Sequence, residues 1–196
     1  MKRSAQIFRN TNETQIKIEL NIDGSGERKV DTPVGFLNHM LDLFAKHGLF
    51  DLKVKASGDT YIDEHHTTED IGIVLGSAFA KALEDKRGIK RYGFFILPMD
   101  EALATVAVDL SGRFAFVFNC PFTREKVGDL STELVYDFWD AFSQNAKANL
   151  NIKVENGRND HHKIEAIFKA AACALRMACE LDNRLEGKLP STKGSL

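Results

Sequence analysis

The stretch YIDEHHTTEDIGIVLG, Tyr61–Gly76, has a second version later in the same chain: GRNDHHKIEAIFKA, Gly157–Ala170. His65, His66 and Glu69 of the first return 96 residues on as His161, His162 and Glu165. Each triplet opens an amphipathic run. Ile71, Val74, Leu75, Ala78, Phe79, Ala82 and Leu83 fall at helical spacing, and the same offset gives Ile167, Ala170, Ala171, Ala174, Leu175, Ala178 and Cys179. Apolar residues at i, i+3, i+4 and i+7 mark one face of a helix. The spacing therefore predicts two helices that bury the same face in the same register.

The repeat extends upstream. FDLKVKASG alternates Leu52, Val54 and Ala56, and ANLNIKVENG alternates Leu150, Ile152 and Val154, now at an offset of 98. Both read as strands with one buried face. Ahead of them lie helical stretches at Phe36–Lys46 and Glu133–Ala148, in which His39 falls on Asp137. The leading strands are TQIKIELNI and EALATVAVDL, with a further strand, RFAFVFN, in the second half and turn signals at DGSG and LSGR. Each half thus reads as strand, helix, strand, helix. The expected fold is α/β (α+β): two similar halves, 1–87 and 88–196, in one compact domain. Each half is a small mixed β-sheet with helices packed on one face.

Composition bounds the function. The 196 residues are 43% hydrophobic and 28% charged, with a net charge of −2, the balance of an ordinary globular chain. That charge leaves no footprint for nucleic acid or an anionic membrane. No transmembrane-length apolar run occurs, and MKRSAQIFRN lacks the apolar core of a signal peptide. Cys120, Cys173 and Cys179 are odd in number and sit in apolar or helical contexts, as thiols of a reducing compartment do. The expectation is a cytoplasmic enzyme or binding protein.

Four of the six histidines lie in the two pairs. His65 and Glu69 share a helix face, as do His161 and Glu165, because i and i+4 stack. His66 and His162 are rotated by about 100° from their neighbours and point to other ligand sets. Two such clusters suit two metal ions, with His39 and Asp137 as further ligands. Imidazole and carboxylate without thiolate suit Mn, Fe or Zn, and suit Ca or Mg poorly. Asp63, Glu64, Asp70 and Asp160 read simply as acidic residues favoured at helix starts. On these residues alone, a dimetal phosphate-ester hydrolase and a non-catalytic metal-assembled shell remain open.

NHMLDLFAKHGLFDL, DEHHTTEDIGIVLG, RGIKRYG, DLSGR, NDHHKIEAIFKA and LPSTKGSL closely resemble the imidazoleglycerol-phosphate dehydratases of histidine biosynthesis, from about Glu13 to the C-terminus. The resemblance is to the monofunctional form, with no phosphatase domain added. It implies two Mn(II) ions per active site, one held by His39, His66, His161 and Glu165 and the other by His65, Glu69, His162 and Asp137. It implies a homo-oligomer of twenty-four subunits with active sites between chains. Two departures stand out: Asp137 replaces a histidine common in the family, and Asn38 replaces an aspartate that precedes His39. Asn38 is expected to hold a neighbouring histidine by a hydrogen bond.

The implied reaction dehydrates imidazole glycerol phosphate to imidazole-acetol phosphate, a hydro-lyase step. No carbonyl acidifies the departing proton. Two metals spaced by one imidazole ring would stabilise negative charge on that ring and so drive out the hydroxyl. Glu13, His47, Glu69 and Glu165 are the acid–base candidates, with Glu13, His39 and His47 also matching substrate positions. Arg91, Arg113, Lys169, Ser191 and Lys193 match the family's phosphate positions, which makes the STK tail a phosphate clamp.

Overall fold

Val54 pairs with Ile18 on one side and Val30 on the other; 98 residues on, Ile152 pairs with Val106 and Phe118 in the same way. The computed structural model, which describes residues 3–194 and 196, thus repeats one topology twice. The first half runs β1 (Ser4–Asn10), β2 (Thr14–Asn21), β3 (Arg28–Asp31), α1 (Gly35–Gly48), β4 (Asp51–Gly58) and α2 (His65–Leu83). The second runs β5 (Tyr92–Met99), β6 (Ala102–Asp109), β7 (Ala115–Asn119), α3 (Leu134–Ala146), β10 (Asn149–Asn156) and α4 (Asp160–Cys179). It adds a small hairpin, β8 (Lys126–Val127) and β9 (Leu130–Ser131). Strand orders are β1-β2-β4-β3 and β5-β6-β10-β7, each with its last pair parallel and the others antiparallel.

The fold class and the duplicated helices agree with the sequence reading, but β1, β3, β5 and the short pair β8 and β9 escaped it. Each half begins strand, strand, strand rather than strand, helix. β1, β3 and β5 are all edge strands. An edge strand needs only partial burial, so its alternation is weak: β3 is RKVD, and β5 is the unbroken apolar run YGFFILPM. Pro98 fits there because an edge strand can spare an N–H.

Helices α1 and α2 lie on the first sheet, α3 and α4 on the second, and the two helix layers meet, α1 on α4 and α2 on α3. Every helix is therefore covered on two sides. Phe44 of α1, Phe79 of α2, Trp139 and Phe142 of α3 and Phe168 of α4 are fully buried and join all four helices in one aromatic cluster. The division at 87/88 falls in the link between α2 and β5, where the buried Lys86 donates to the Leu110 carbonyl at 3.1 Å. No helix among the described residues is long and apolar enough to cross a membrane. The outer sheet faces carry exposed Phe8, Tyr92, Phe94, Ile96 and Val117.

Gly72 and Gly76 set how closely α2 and α3 approach. A Cβ at Gly72 would stand 2.5 Å from the Phe138 carbonyl oxygen, and one at Gly76 2.4 Å from that of Phe142. The obstacles are backbone atoms that cannot swing aside. Gly76→Val is expected to lower stability by about 1–3 kcal/mol through forced separation of the two helices. Urea unfolding followed by circular dichroism reads it, and an unchanged midpoint would refute the close-contact argument.

Candidate active site

The starts of the helices carry the polar chemistry. Nε2 of His161 lies 3.2 Å from Glu165 Oε2, and Nε2 of His39 lies 3.6 Å from the same oxygen. One ligand atom from each of these residues falls within 4.8 Å of the other two. His39 comes from α1 and the other two from α4, so the cluster draws on both halves. The repeat counterpart is looser: His65 Nε2 faces Glu69 Oε2 at 3.8 Å on α2, and the charge of His65 reaches Asp137 on α3, but these three do not converge as closely as His39, His161 and Glu165 do. Burial lifts the Asp137 carboxyl above its ordinary range, and His65 offsets part of that. The borderline nitrogen and hard oxygen donors of His39, His161 and Glu165 fit a divalent transition ion.

His66 and His162 join neither cluster within one chain. Nε2 of His66 lies 4.0 Å from Glu13, and Nε2 of His162 lies 3.6 Å from Asp100. Their other nitrogens meet carboxylates: His66 Nδ1 lies 3.1 Å from Asp59, and His162 Nδ1 lies 2.7 Å from Glu101. The Asp59 hydrogen bond raises the His66 pKa. Glu101 is held at about 2, first by His162 and then by the Asn159 amide. Sequence reasoning passed over both carboxylates, because neither lies at the repeat offset from the other.

His47 ends α1. Burial, and then the positive charge of Lys169, push its pKa down, so it is neutral at pH 7 and can accept a proton. Lys169 Nζ reaches Glu165 Oε1 at 2.5 Å, and this contact outweighs the upward pull of burial on Glu165, whose pKa is lowered. Lys169 therefore faces the cluster of His161 and Glu165.

The remaining cations lie elsewhere. Arg91 grips Asp109 and donates to the Pro190 carbonyl at 2.9 Å, which ties down the tail that carries Ser191 and Lys193. The Arg113 guanidinium has no ion pair among the described residues, and the chain end at Leu196 lies against its neighbour Gly112. Arg91 N–H donates to the Ala178 carbonyl, near the end of α4. His161 sits at the other end, about 25 Å away at 1.5 Å per residue. One chain thus keeps its imidazole clusters and most of its phosphate-binding candidates apart.

Three carboxylates hold the helix starts in place, all through the segment 123–131 between β7 and α3. Asp160 accepts from the Thr123 and Arg124 amides, each at 2.8 Å, and pairs with buried Lys163. Glu64 accepts from the Ser131 amide at 2.7 Å and from Lys126. Asp129 accepts from the amides of Gly35 and Phe36 at 2.6 and 2.8 Å, capping α1 from 93 residues away where Val34 offers no side-chain cap. Gly128, at φ 62°, makes the tight β8–β9 turn that projects Asp129. Only Asp63, which accepts from His65 N–H, acts as the simple helix-start acid expected of the four. Asp70 instead is buried against Thr14 and Arg9. Asn38 bonds both ways to the Thr32 backbone and closes the turn before α1, rather than holding a histidine.

Residues 32–175 match the family model described as imidazoleglycerol-phosphate dehydratase. A relative of that name from Citrifermentans bemidjiense is 58% identical over 196 residues, with both chains covered in full. One from Janthinobacterium sp. (strain Marseille) is 54% identical over 194 residues, 99% of this chain and 98% of the relative. The crystal structure of imidazoleglycerol-phosphate dehydratase from Staphylococcus aureus superposes with a TM-score of 0.83 at 43% identity, covering 91% of this chain and 99% of that one. The chain belongs to the imidazoleglycerol-phosphate dehydratase family.

The segment's anchors make stability acid-sensitive. Burial pulls Glu64 upward, but the Ser131 and Lys126 hydrogen bonds override it and set its pKa at about 2, against 4.5 ordinarily. Asp160 is likewise held at about 2, against 3.8, by Lys163 and the two amides in spite of burial. Both values are depressed, so the stabilisation is complete above the ordinary values and drains away as pH falls toward 2. Glu64→Gln is expected to flatten the loss of stability between about pH 4.5 and 2, while costing about 2 kcal/mol at neutral pH. Denaturant midpoints across that range test this, and a wild-type slope in the variant would contradict it.

Proposed function

We propose that the chain dehydrates imidazole glycerol phosphate to imidazole-acetol phosphate, a hydro-lyase step of histidine biosynthesis, at sites assembled between copies and loaded with two Mn(II) ions each. The observation that carries the reading is the convergence of His39, His161 and Glu165; the duplicated positions His65, Glu69 and Asp137 offer a second, looser set. These two triplets would each hold one ion. His66 and His162 face away from both within their own chain and would complete the triplets of neighbouring copies. The ions would supply Lewis acidity at the two ring nitrogens, favouring negative charge on the ring as the adjacent hydroxyl departs.

The chain's own residues do the rest. Neutral His47 would accept or return protons near the cluster of His161 and Glu165, and exposed Glu13 would do so beside His66. Lys169 places positive charge beside the cluster of His161 and Glu165. Arg91, Arg113, Ser191 and Lys193 would bind the phosphate, as charge-assisted donors do. Because they lie at the far end of α4 from His161, they would serve a site whose imidazoles belong to another copy. That separation supports a homo-oligomer, as do the exposed aromatic and aliphatic residues on the outer sheet faces. The twenty-four-subunit assembly remains our proposal on the family resemblance.

A dehydration assay on imidazole glycerol phosphate, with metal stripped and Mn(II) resupplied, tests the reading. Activity should vanish and return; activity unchanged by stripping would refute metal dependence. Asp137→Ala should lose one of the two ions, and full occupancy would remove Asp137 from the ligands. Two inactive variants, His161→Ala and Arg113→Ala, should regain activity when dissociated together and reassembled as mixed oligomers. No recovery in the mixture would argue against composite sites.

A further inference from the structure

His66 and His162 occupy equivalent places, and each has its inner nitrogen bonded to a carboxylate. The two carboxylates reach that position from different parts of the chain. Asp59 follows β4 directly, and its carboxylate lies 3.1 and 3.3 Å from His66 Nδ1. At the strand offset of 98 its counterpart is Gly157, where a Cβ would meet Lys163 Cγ at 2.9 Å and Ala102 Cβ at 3.1 Å. No side chain fits there. Glu101 comes instead from the turn between β5 and β6 and lies 2.7 Å from His162 Nδ1. The ladders pair Ile18 with Val54 and Val106 with Ile152, so Glu101 holds the place that Glu13 holds in the first half, just before the second strand. Glu13 lies near Nε2 of His66 rather than Nδ1. The same contact thus recurs although the duplicated positions do not supply it.

Both carboxylates are fixed. The Asp59 side chain is only 9% exposed, and its amide donates to the Glu13 carbonyl. Glu101 Oε1 accepts from the Arg158 and Asn159 amides at 3.1 and 2.7 Å, which leaves Oε2 for the imidazole. An ionised carboxylate only accepts, so Nδ1 must be the donor. A neutral imidazole with Nδ1 protonated has its lone pair on Nε2.

We infer that Asp59 and Glu101 are positioning residues, which fix His66 and His162 as Nδ1–H tautomers and so present Nε2 of each as a ligand to a metal ion. The inference rests on the metal reading above and adds to it what makes the second histidine of each pair a ligand. Removal of such a partner weakens metal binding by about 10–100-fold.

Asp59→Asn and Glu101→Gln test this in full-length assembled protein. Gln at position 101 can keep its carbonyl oxygen on the Arg158 and Asn159 amides and turn its NH2 toward Nδ1, which then must accept. Its ring would become the Nε2–H tautomer, with no lone pair for the ion. Nitrogen-15 magic-angle-spinning spectra of metal-stripped, histidine-labelled protein should show Nδ1–H rings for His66 and His162 in the wild type. Asp59→Asn should switch only His66 and Glu101→Gln only His162. Mn(II) titration should find two ions per site in the wild type, with one bound about 10–100-fold more weakly in each variant. Asp59→Glu and Glu101→Asp keep a carboxylate and should restore tautomer and affinity. Nε2–H rings in the wild type, or wild-type Mn(II) affinity in both amide variants, would overturn the positioning role and leave the metal reading standing. A wild-type protein that takes up no Mn(II) would overturn the metal reading itself.

Discussion

Four helices shut between two sheets leave their inward faces to apolar or small side chains. α2 has the first sheet on one side and α3 on the other, and α4 has the second sheet and α1. Along most of their length they must be apolar or small on two faces, hence Gly72 and Gly76 on α2 and the run of alanines on α4. Imidazoles and carboxylates are tolerated in the first turns, where solvent reaches them. The same crossing of helices between halves decides which residues meet. His39 joins the cluster on α4, and Asp137 joins the pair on α2, so neither half alone contains a complete triplet.

Much of this was legible in the sequence, because burial on a regular element leaves a period. All fourteen apolar or small positions of the duplicated stripe on α2 and α4 are buried. So are Leu52 and Val54 and their counterparts Leu150 and Ile152 at the centre of each sheet. The alignment of His39 with Asp137 set both beside the helix starts, and His39 stands by His161 and Glu165. β1, β3 and β5 left no such period and went unseen, although the edge strand β7 was read.

Contacts between distant positions left no local signal either. Asp129 caps α1 across the molecule, and Glu64 and Asp160, which look like ordinary helix-start acids, are buried anchors for one segment. Nothing in a window around His162 announces that Glu101 will meet it. Asn38 shows the reverse case: a motif position suggested a partner for an imidazole, and the backbone of Thr32 claimed it instead.

The segment 123–131 belongs to the second half, yet it touches the starts of α1, α2 and α4. It works as a gauge block between the histidine pairs, since Thr123 is set by the helix of His161 and Ser131 by that of His65. Its length is therefore a dimension of the site and not merely of a loop. An extra residue in the turn between β2 and β3 could bulge outward and leave the clusters as they are. One inserted between Thr123 and Ser131 would force Asp160, Glu64 or Asp129 to release its amides, and the two pairs would lose their common reference. Among related chains, variation in length should stop at this stretch.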